Sequence, residues 1–271
     1  MRETIKKVFF RDAFTAVASV IITLFLVSAF LGETYSIFCK LTSRAPVYDA
    51  GDIKDAYKEP SAKNPLGTDF KGRDVLLRAF FASKTAIKIG LLAGIISGLI
   101  GVAAGIISGY FGGLIDEVIV WFYSSFASIP TLLFILAFSL LVTKGFLIPP
   151  LASGFALVAK GLNTDSGMLA IYIGIGMTGW VGLCRILRSE TMRLKNESYV
   201  QAARVLGLGD FRIIFRHILP NLAHIAIIYF SVRFSYAIMT EVIVSYLGLG
   251  VQSEPSWGVM IADGQMRLWR G

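Results

Sequence analysis

The sequence predicts an all-α polytopic membrane protein, and three observations carry that prediction. Hydrophobic residues fill 55% of its 271 positions and charged residues only 16%, giving a mean hydropathy of +0.68. Apolar runs long enough to cross a bilayer recur along the chain with polar segments between them. Between the last two runs, residues 185–220 form a charged, glycine-broken stretch too polar to be a span. The formal net charge of +8 invites a nucleic-acid reading, but no recognition helix or basic-aromatic platform accompanies it. Basic residues flanking spans on the cytoplasmic side account for the charge. Cys39 and Cys184 make no disulfide framework, and the topology below puts them near opposite faces of the bilayer.

Residues 1–12, with Arg2, Lys6, Lys7 and Arg11, read as a cytoplasmic N-terminus, and 13–38 as the first transmembrane helix. That run carries no charge through Gly32 and exceeds the apolar core of a cleavable signal, so it reads as an uncleaved span. Residues 39–88 are polar, contain Pro46, Pro60 and Pro65, and read as an extracytoplasmic loop. Their many Lys and Arg count against that side; the first helix is taken to set the orientation.

The second span is predicted over 89–115. Its glycines, Gly90, Gly94, Gly98, Gly101, Gly105 and Gly109, step by three or four and so stack on a face that a neighbouring helix can approach closely. Tyr110-Phe111-Gly112-Gly113 makes a turn. The third span, 118–143, carries Pro130 in its middle, where a kink is expected. Residues 145–159, with Pro149-Pro150, are apolar but too short to cross and read as a re-entrant or surface segment. The fourth span, 166–184, ends at Arg185 and Arg188; the fifth, 222–249, is interrupted by Arg233 and Glu241. Residues 252–271 are polar and return to the outer side.

In the polar stretch, Asn196 or Ser198 can cap a short helix on which Tyr199, Ala203 and Leu206 share a face. Gly207-Leu208-Gly209 breaks it. Asp210 can cap a second helix with Phe211, Ile214, Phe215 and Ile218 at i, i+3, i+4, i+7, ended by Pro220. Such a hairpin is either an amphipathic connector lying on the headgroups or an element that docks into a partner. The small Ala202-Ala203 pair favours docking, because small side chains permit close backbone approach.

The run Tyr199-Val200-Gln201-Ala202-Ala203, then Gly207, then Ile218-Leu219-Pro220 resembles the coupling loop of bacterial ABC-transporter permeases. Pro65-Leu66-Gly67-Thr68-Asp69 with Gly72-Arg73-Asp74-Val75-Leu76 is similar to a segment of oligopeptide and dipeptide permeases. So are Gly109-Tyr110-Phe111-Gly112-Gly113 with Asp116 and Pro130, Arg216-His217-Ile218-Leu219-Pro220-Asn221, Tyr246-Leu247-Gly248-Leu249-Gly250-Val251-Gln252 and Pro255-Ser256-Trp257-Gly258. By these blocks the chain is identified as a member of the oligopeptide/dipeptide/nickel group, second permease subunit. The resemblance implies a type I ABC-importer permease fold of six spans, of which five are visible here. It makes residues 89–271 the permease core, with coupling loop 185–220 and the final helix apparently missing.

The resemblance further implies a heterodimer with another permease, two ATP-hydrolysing subunits, an extracytoplasmic solute-binding protein, and peptide import across the bacterial inner membrane. Its ATPase-coupling residues are Tyr199, Gln201, Ala202, Ala203, Gly207, Phe211, Ile218, Leu219 and Pro220. No cofactor is implied. The chain has no G-x-x-x-x-G-K-[ST] phosphate loop and no Gly-Lys pair at all, so ATP hydrolysis is assigned to partner chains. Nickel or another small solute is an alternative cargo, and an ion-driven secondary transporter is the rival mechanism.

The chain departs from the pattern in the third span, where relatives often carry Arg and Asp and this one has Trp121 and Ser124; losing both signs leaves no orphan charge. Arg233 lies mid-span, where an arginine costs about 2.5–3.5 kcal/mol on insertion scales. It faces either water or an acid, or contacts solute in the translocation path with Glu241, which matches an acid common in relatives. His217 and His224 stand without a cysteine or carboxylate cluster, so no metal site is expected. Trp257 reads as an interfacial anchor or packing residue, and Gly67-Thr68-Asp69 as a structural turn.

Overall fold

Helices carry most of the described residues in the computed structural model, which describes residues 13–250 and 254–268. The basic stretch 1–12 and the Val251-Gln252 end of one motif lie outside the described residues. The helices are α1 (Ala13–Leu41), α2 (Val75–Phe111), α3 (Gly113–Ala127), α4 (Thr131–Thr143), α5 (Pro149–Gly161), α6 (Ser166–Leu194), α7 (Ser198–Val205), α8 (Asp210–Ile213), α9 (Leu219–Tyr246) and α10 (Trp257–Leu268). A π-helical turn, Ile214–Ile218, joins α8 to α9. Four helices, with Asp210–Tyr246 counted as one, are long and apolar enough to cross a membrane, and the bent pair α3–α4 adds a fifth crossing if it is one span. The five spans read from sequence fall on these helices, the third of them on the bent pair α3–α4.

Several boundaries differ from the sequence reading, each for a local reason. The loop placed at 39–88 ends at Val75, because Asp74 Oδ1 accepts the Leu77 N–H at 2.8 Å and starts α2 fourteen residues early. Charges at Arg78, Lys84 and Lys88 hid this turn of helix; all three are paired. Pro130 does more than kink the third span: α3 and α4 meet at 90°, with Pro130 as the N-terminal flank of α4. The segment at 145–159 is a 13-residue helix entered through Pro149 and Pro150, positions where a missing N–H costs nothing. At about 20 Å it is still too short to cross. Helix α6 continues ten residues past the expected end at Cys184. The tail read as polar holds α10.

The chain divides into two units. In the first (residues 1–88, 245–248 and 252–271) α1 lies against the start of α2, where a Cβ added at Gly32 would stand 3.4 Å from the Phe81 ring and from Lys84 Cβ. Lys88 pairs with Glu33 at 2.9 Å, while Lys84 donates to Ser36 at 3.0 Å and faces Glu254 at 3.6 Å. Trp257 donates to the Ala79 carbonyl at 3.1 Å and stands edge-on to Phe25, so it packs helices together. The Gly67-Thr68-Asp69 turn is structural as read: Asp69 accepts from the Lys71 and Arg73 backbone and from Arg73 Nε. Burial beside Phe81 pushes the Tyr48 phenol up to about 12.

In the second unit (89–244 and 249–251) α6 is the central post, with 17 of its 29 residues buried. The glycine series of α2 serves two partners instead of one. Gly90 and Gly94 meet the rings of Phe234 and Phe230 on α9, and Gly101, Gly105 and Gly109 meet α6. A Cβ at Gly105 would stand 2.8 Å from the Cys184 carbonyl oxygen, so only glycine permits this approach. Gly98 has open space before it. Ile89, Ile135, Met168, Tyr172, Ile175 and Ala237 form one core cluster of this unit. Cys39 and Cys184 are both free and buried.

Candidate functional site

The polar hairpin is assembled from α7, the turn at 206–209 and α8, and it is built into the second unit's core. Val200 and Ala203 from α7 and Ile213, Ile214 and Ile218 beyond the turn are buried with Ile106 and Tyr110 of α2, Leu183, Leu187 and Leu194 of α6, and Leu222 of α9. The buried face of α7 is therefore Val200–Ala203, one step round from the Tyr199–Ala203–Leu206 face expected; Leu206 is 79% exposed. On the second arm Phe211 and Phe215 are exposed at 74% and 64%, while Ile213, Ile214 and Ile218 are buried. Periodicity put Phe211, Ile214, Phe215 and Ile218 on one face; the structure divides that face, burying Ile214 and Ile218 near Tyr110 and leaving the two phenylalanines outside.

The caps also differ. Glu197, not Asn196 or Ser198, flanks α7, without a side-chain bond, and Gly209 flanks α8. At the far end of α7, Leu208 N–H bonds the Ala203 carbonyl at 3.1 Å and Gly207 N–H bonds Arg204 at 3.0 Å. This is a Schellman ending with Gly207 in the left-handed region at φ +79. An added Cβ there would touch nothing within 4 Å, so glycine is needed for the backbone angle alone. Gln201 Nε2 donates to the Lys195 carbonyl at 2.7 Å, tying α7 to the end of α6.

Pro220 does not end the hairpin; the helix runs on through it. A proline ring would collide with the carbonyl of residue 216, and the wider π-helical turn at Ile214–Ile218 relieves this. Asn221 Nδ2 donates to the His217 carbonyl at 2.6 Å. Leu219 and Pro220 are thus the joint between hairpin and α9.

One polar cluster holds the hairpin and a second joins the helices α2, α3 and α6, and the sequence reading missed both. Tyr110, near the end of α2, donates to Asp210 Oδ1 at 2.7 Å and accepts from Arg204 Nη2 at 3.3 Å. Arg204 also lies 5.6 Å from the centre of the Tyr110 ring. One buried phenol therefore grips both sides of the turn. Arg188 of α6 makes a bidentate pair with Asp116 of α3, at 2.6 and 2.5 Å, and Ser108 also bonds that carboxylate. Tyr110 and Asp116 lay within a recognised motif, but no spacing in the chain links them to residues about 70 to 100 positions away.

The outward side of the hairpin is mixed: Tyr199, Val205, Leu206, Phe211 and Phe215 are exposed, and so are Arg204, Arg212 and Arg216. Phe211 and Phe215 also line an apolar groove of about 560 Å³ with Leu99, Ile106 and Phe111.

Arg233 and Glu241 share α9 but are eight residues, about 12 Å, apart, and do not pair with each other. Glu241 is buried. The Arg233 guanidinium lies 4.6 Å from the Tyr236 ring centre and against Gly179 of α6, where an added Cβ would stand 2.7 Å from its Cζ. Tyr229 donates to the Gly179 carbonyl at 3.1 Å.

Residues 101–269 match the family described as binding-protein-dependent transport system inner membrane component. The oligopeptide transport system permease protein OppC of Bacillus subtilis is 32% identical over 240 residues, covering 87% of this chain and 71% of that protein. The dipeptide transport system permease protein DppC of the same organism is 34% identical, over 78% of this chain and 60% of its own length. OppC of Escherichia coli K12 is 36% identical, over 73% and 59% respectively. The chain thus spans 71% of the first of these relatives and about three-fifths of the other two.

Proposed function

Since the chain belongs to the binding-protein-dependent inner membrane component family, we propose that it is one permease subunit of an ATP-driven importer of peptides. The observation that carries this reading is the hairpin: a turn clamped from both sides by Tyr110, joined to α9 without a break, and presenting apolar residues outward. A rigidly held surface that offers large apolar side chains among exposed arginines suits transmission of force from another protein. Its partners are a second permease subunit, two ATP-hydrolysing subunits that receive Leu206, Phe211 and neighbours, and an extracytoplasmic solute-binding protein. ATP hydrolysis lies on those partners.

The setting is the bacterial inner membrane with the N-terminus in the cytoplasm. Four crossings (α1, α2, α3–α4 and α6) then return the hairpin to the cytoplasmic side. Seven Arg and Lys against three acids in residues 185–220 agree with that side. Closure of the ATPases would pull the hairpin and, through the unbroken 210–246 helix, tilt α9. Coupling requires the two states to contact the partner differently, which exposed Phe211 and Phe215 permit. Arg233 and Glu241 on α9 would then lie along the translocation path.

The test is uptake by the complete complex in vesicles. Replacing Leu206 and Phe211 together with serine should abolish ATP-driven peptide uptake while the two permeases still co-purify. Uptake at the unaltered rate would refute the assignment.

A further inference from the structure

Arg233 is the fifteenth of 28 residues in α9, so it sits near the middle of that span. A guanidinium carries five N–H donors, and among the described residues none of them has a hydrogen-bond acceptor. The Nε is buried without one, and no carboxylate lies within 4.0 Å. The Gly179 carbonyl is taken by Tyr229. A cation in the low-dielectric interior needs an opposite charge or a hydrogen-bonding shell, and the described chain supplies neither.

The group is nevertheless held in place. Gly179 leaves room for it on α6, since a Cβ there would stand 2.7 Å from its Cζ, and the Tyr236 ring lies 4.6 Å from its centre. Stacking of this kind stabilises the cation through its face and leaves the edge of the fork free. The ring sustains the charge while no anion is bound. The edge of a guanidinium matches a carboxylate with two parallel hydrogen bonds.

We propose that Arg233 is the binding residue for the terminal carboxylate of the peptide in transit, a proposal that rests on the peptide-importer reading above. Tyr236 holds the guanidinium's face, and Gly179 sets its depth. A C-terminal amide, which offers one acceptor and no charge, is a poor match.

The test uses the complete transporter in vesicles and two probes, trialanine and trialanine amide, each at a concentration that saturates the binding protein. Wild type should carry the acid at least about tenfold faster than the amide. Arg233→Gln should slow the acid about tenfold, leave the amide unchanged and bring the ratio near one; Arg233→Lys should keep part of the preference. The second permease should co-purify undiminished with both variants. Equal wild-type rates for acid and amide would overturn the role of Arg233 while leaving peptide import standing. So would loss of the second permease from Arg233→Gln, which would assign the arginine to an acid on that subunit. A wild-type complex that moves neither peptide but still takes up another solute would overturn the peptide reading itself.

Discussion

The Tyr110 hydroxyl donates to Asp210 Oδ1 at 2.7 Å, joining the end of α2 to the first residue of α8 across 100 positions of sequence. The same oxygen receives Arg204 from the other side of the Gly207 turn. A helix that spans the membrane and the turn offered to a partner are therefore fastened at one atom. Tyr110→Phe keeps the ring in its pocket and removes both bonds, at about 1 kcal/mol. Hydrogen exchange of the Leu206 to Gly209 amides should quicken severalfold in the assembled complex, and stimulation of ATPase activity by loaded binding protein should fall. Unchanged exchange would show that the apolar contacts alone fix the turn.

Gly207→Ala tests the backbone without crowding it, because an added Cβ meets open space while φ stays at +79. The strain is about 1 kcal/mol. Gly207→Asn should lose less, since asparagine tolerates this region best among other residues. Coupled uptake should rank glycine, asparagine, alanine in descending order, with permease assembly equal in all three.

The Arg188–Asp116 pair ties α6 to α3 beside the Gly112-Gly113 turn. Its partial exposure limits its worth, and Asp116→Asn should cost about 1–2 kcal/mol. Arg188→Gln combined with Asp116→Asn should cost less than the sum of the single changes, since neither charge is then left alone. Thermal unfolding of the four proteins gives the cycle.

Burial raises the Asp263 carboxyl on α10 above the ordinary carboxylate range, and Arg78 and Arg73 pull it partly back. A raised acid holds its proton more tightly folded than unfolded. Its contribution to stability is therefore full below the unfolded carboxyl pKa and is lost as pH rises through the folded one. Asp263→Asn should raise the melting temperature at neutral pH and flatten its acid-side dependence. A lower melting temperature at pH 7 would mean that the carboxylate is held by charge instead.

The spans were legible because an apolar run of about 20 residues has few other uses, and the hairpin because charge and glycine interrupt that pattern. Helix ends were harder to read. Arg78, Lys84 and Lys88 look like loop residues until Asp49, Glu254 and Glu33, respectively, are seen opposite them. Pro220 looks like a terminator until the π-helical turn before it is known. Within the site, Gly207 was readable from its own chemistry. Tyr110, Arg204 and Asp210 were not, because a hydrogen bond between distant residues leaves no periodic trace.

The central claim is that the hairpin is where an ATP-hydrolysing partner takes hold, and photo-cross-linking in the reconstituted complex tests it most directly. A photoreactive residue at Phe211 should capture the ATPase subunit, with a yield that changes between nucleotide-free and ATP-bound states; one at exposed Phe14 on α1 should not. No ATPase adduct at Phe211, or a yield indifferent to nucleotide, would contradict the account.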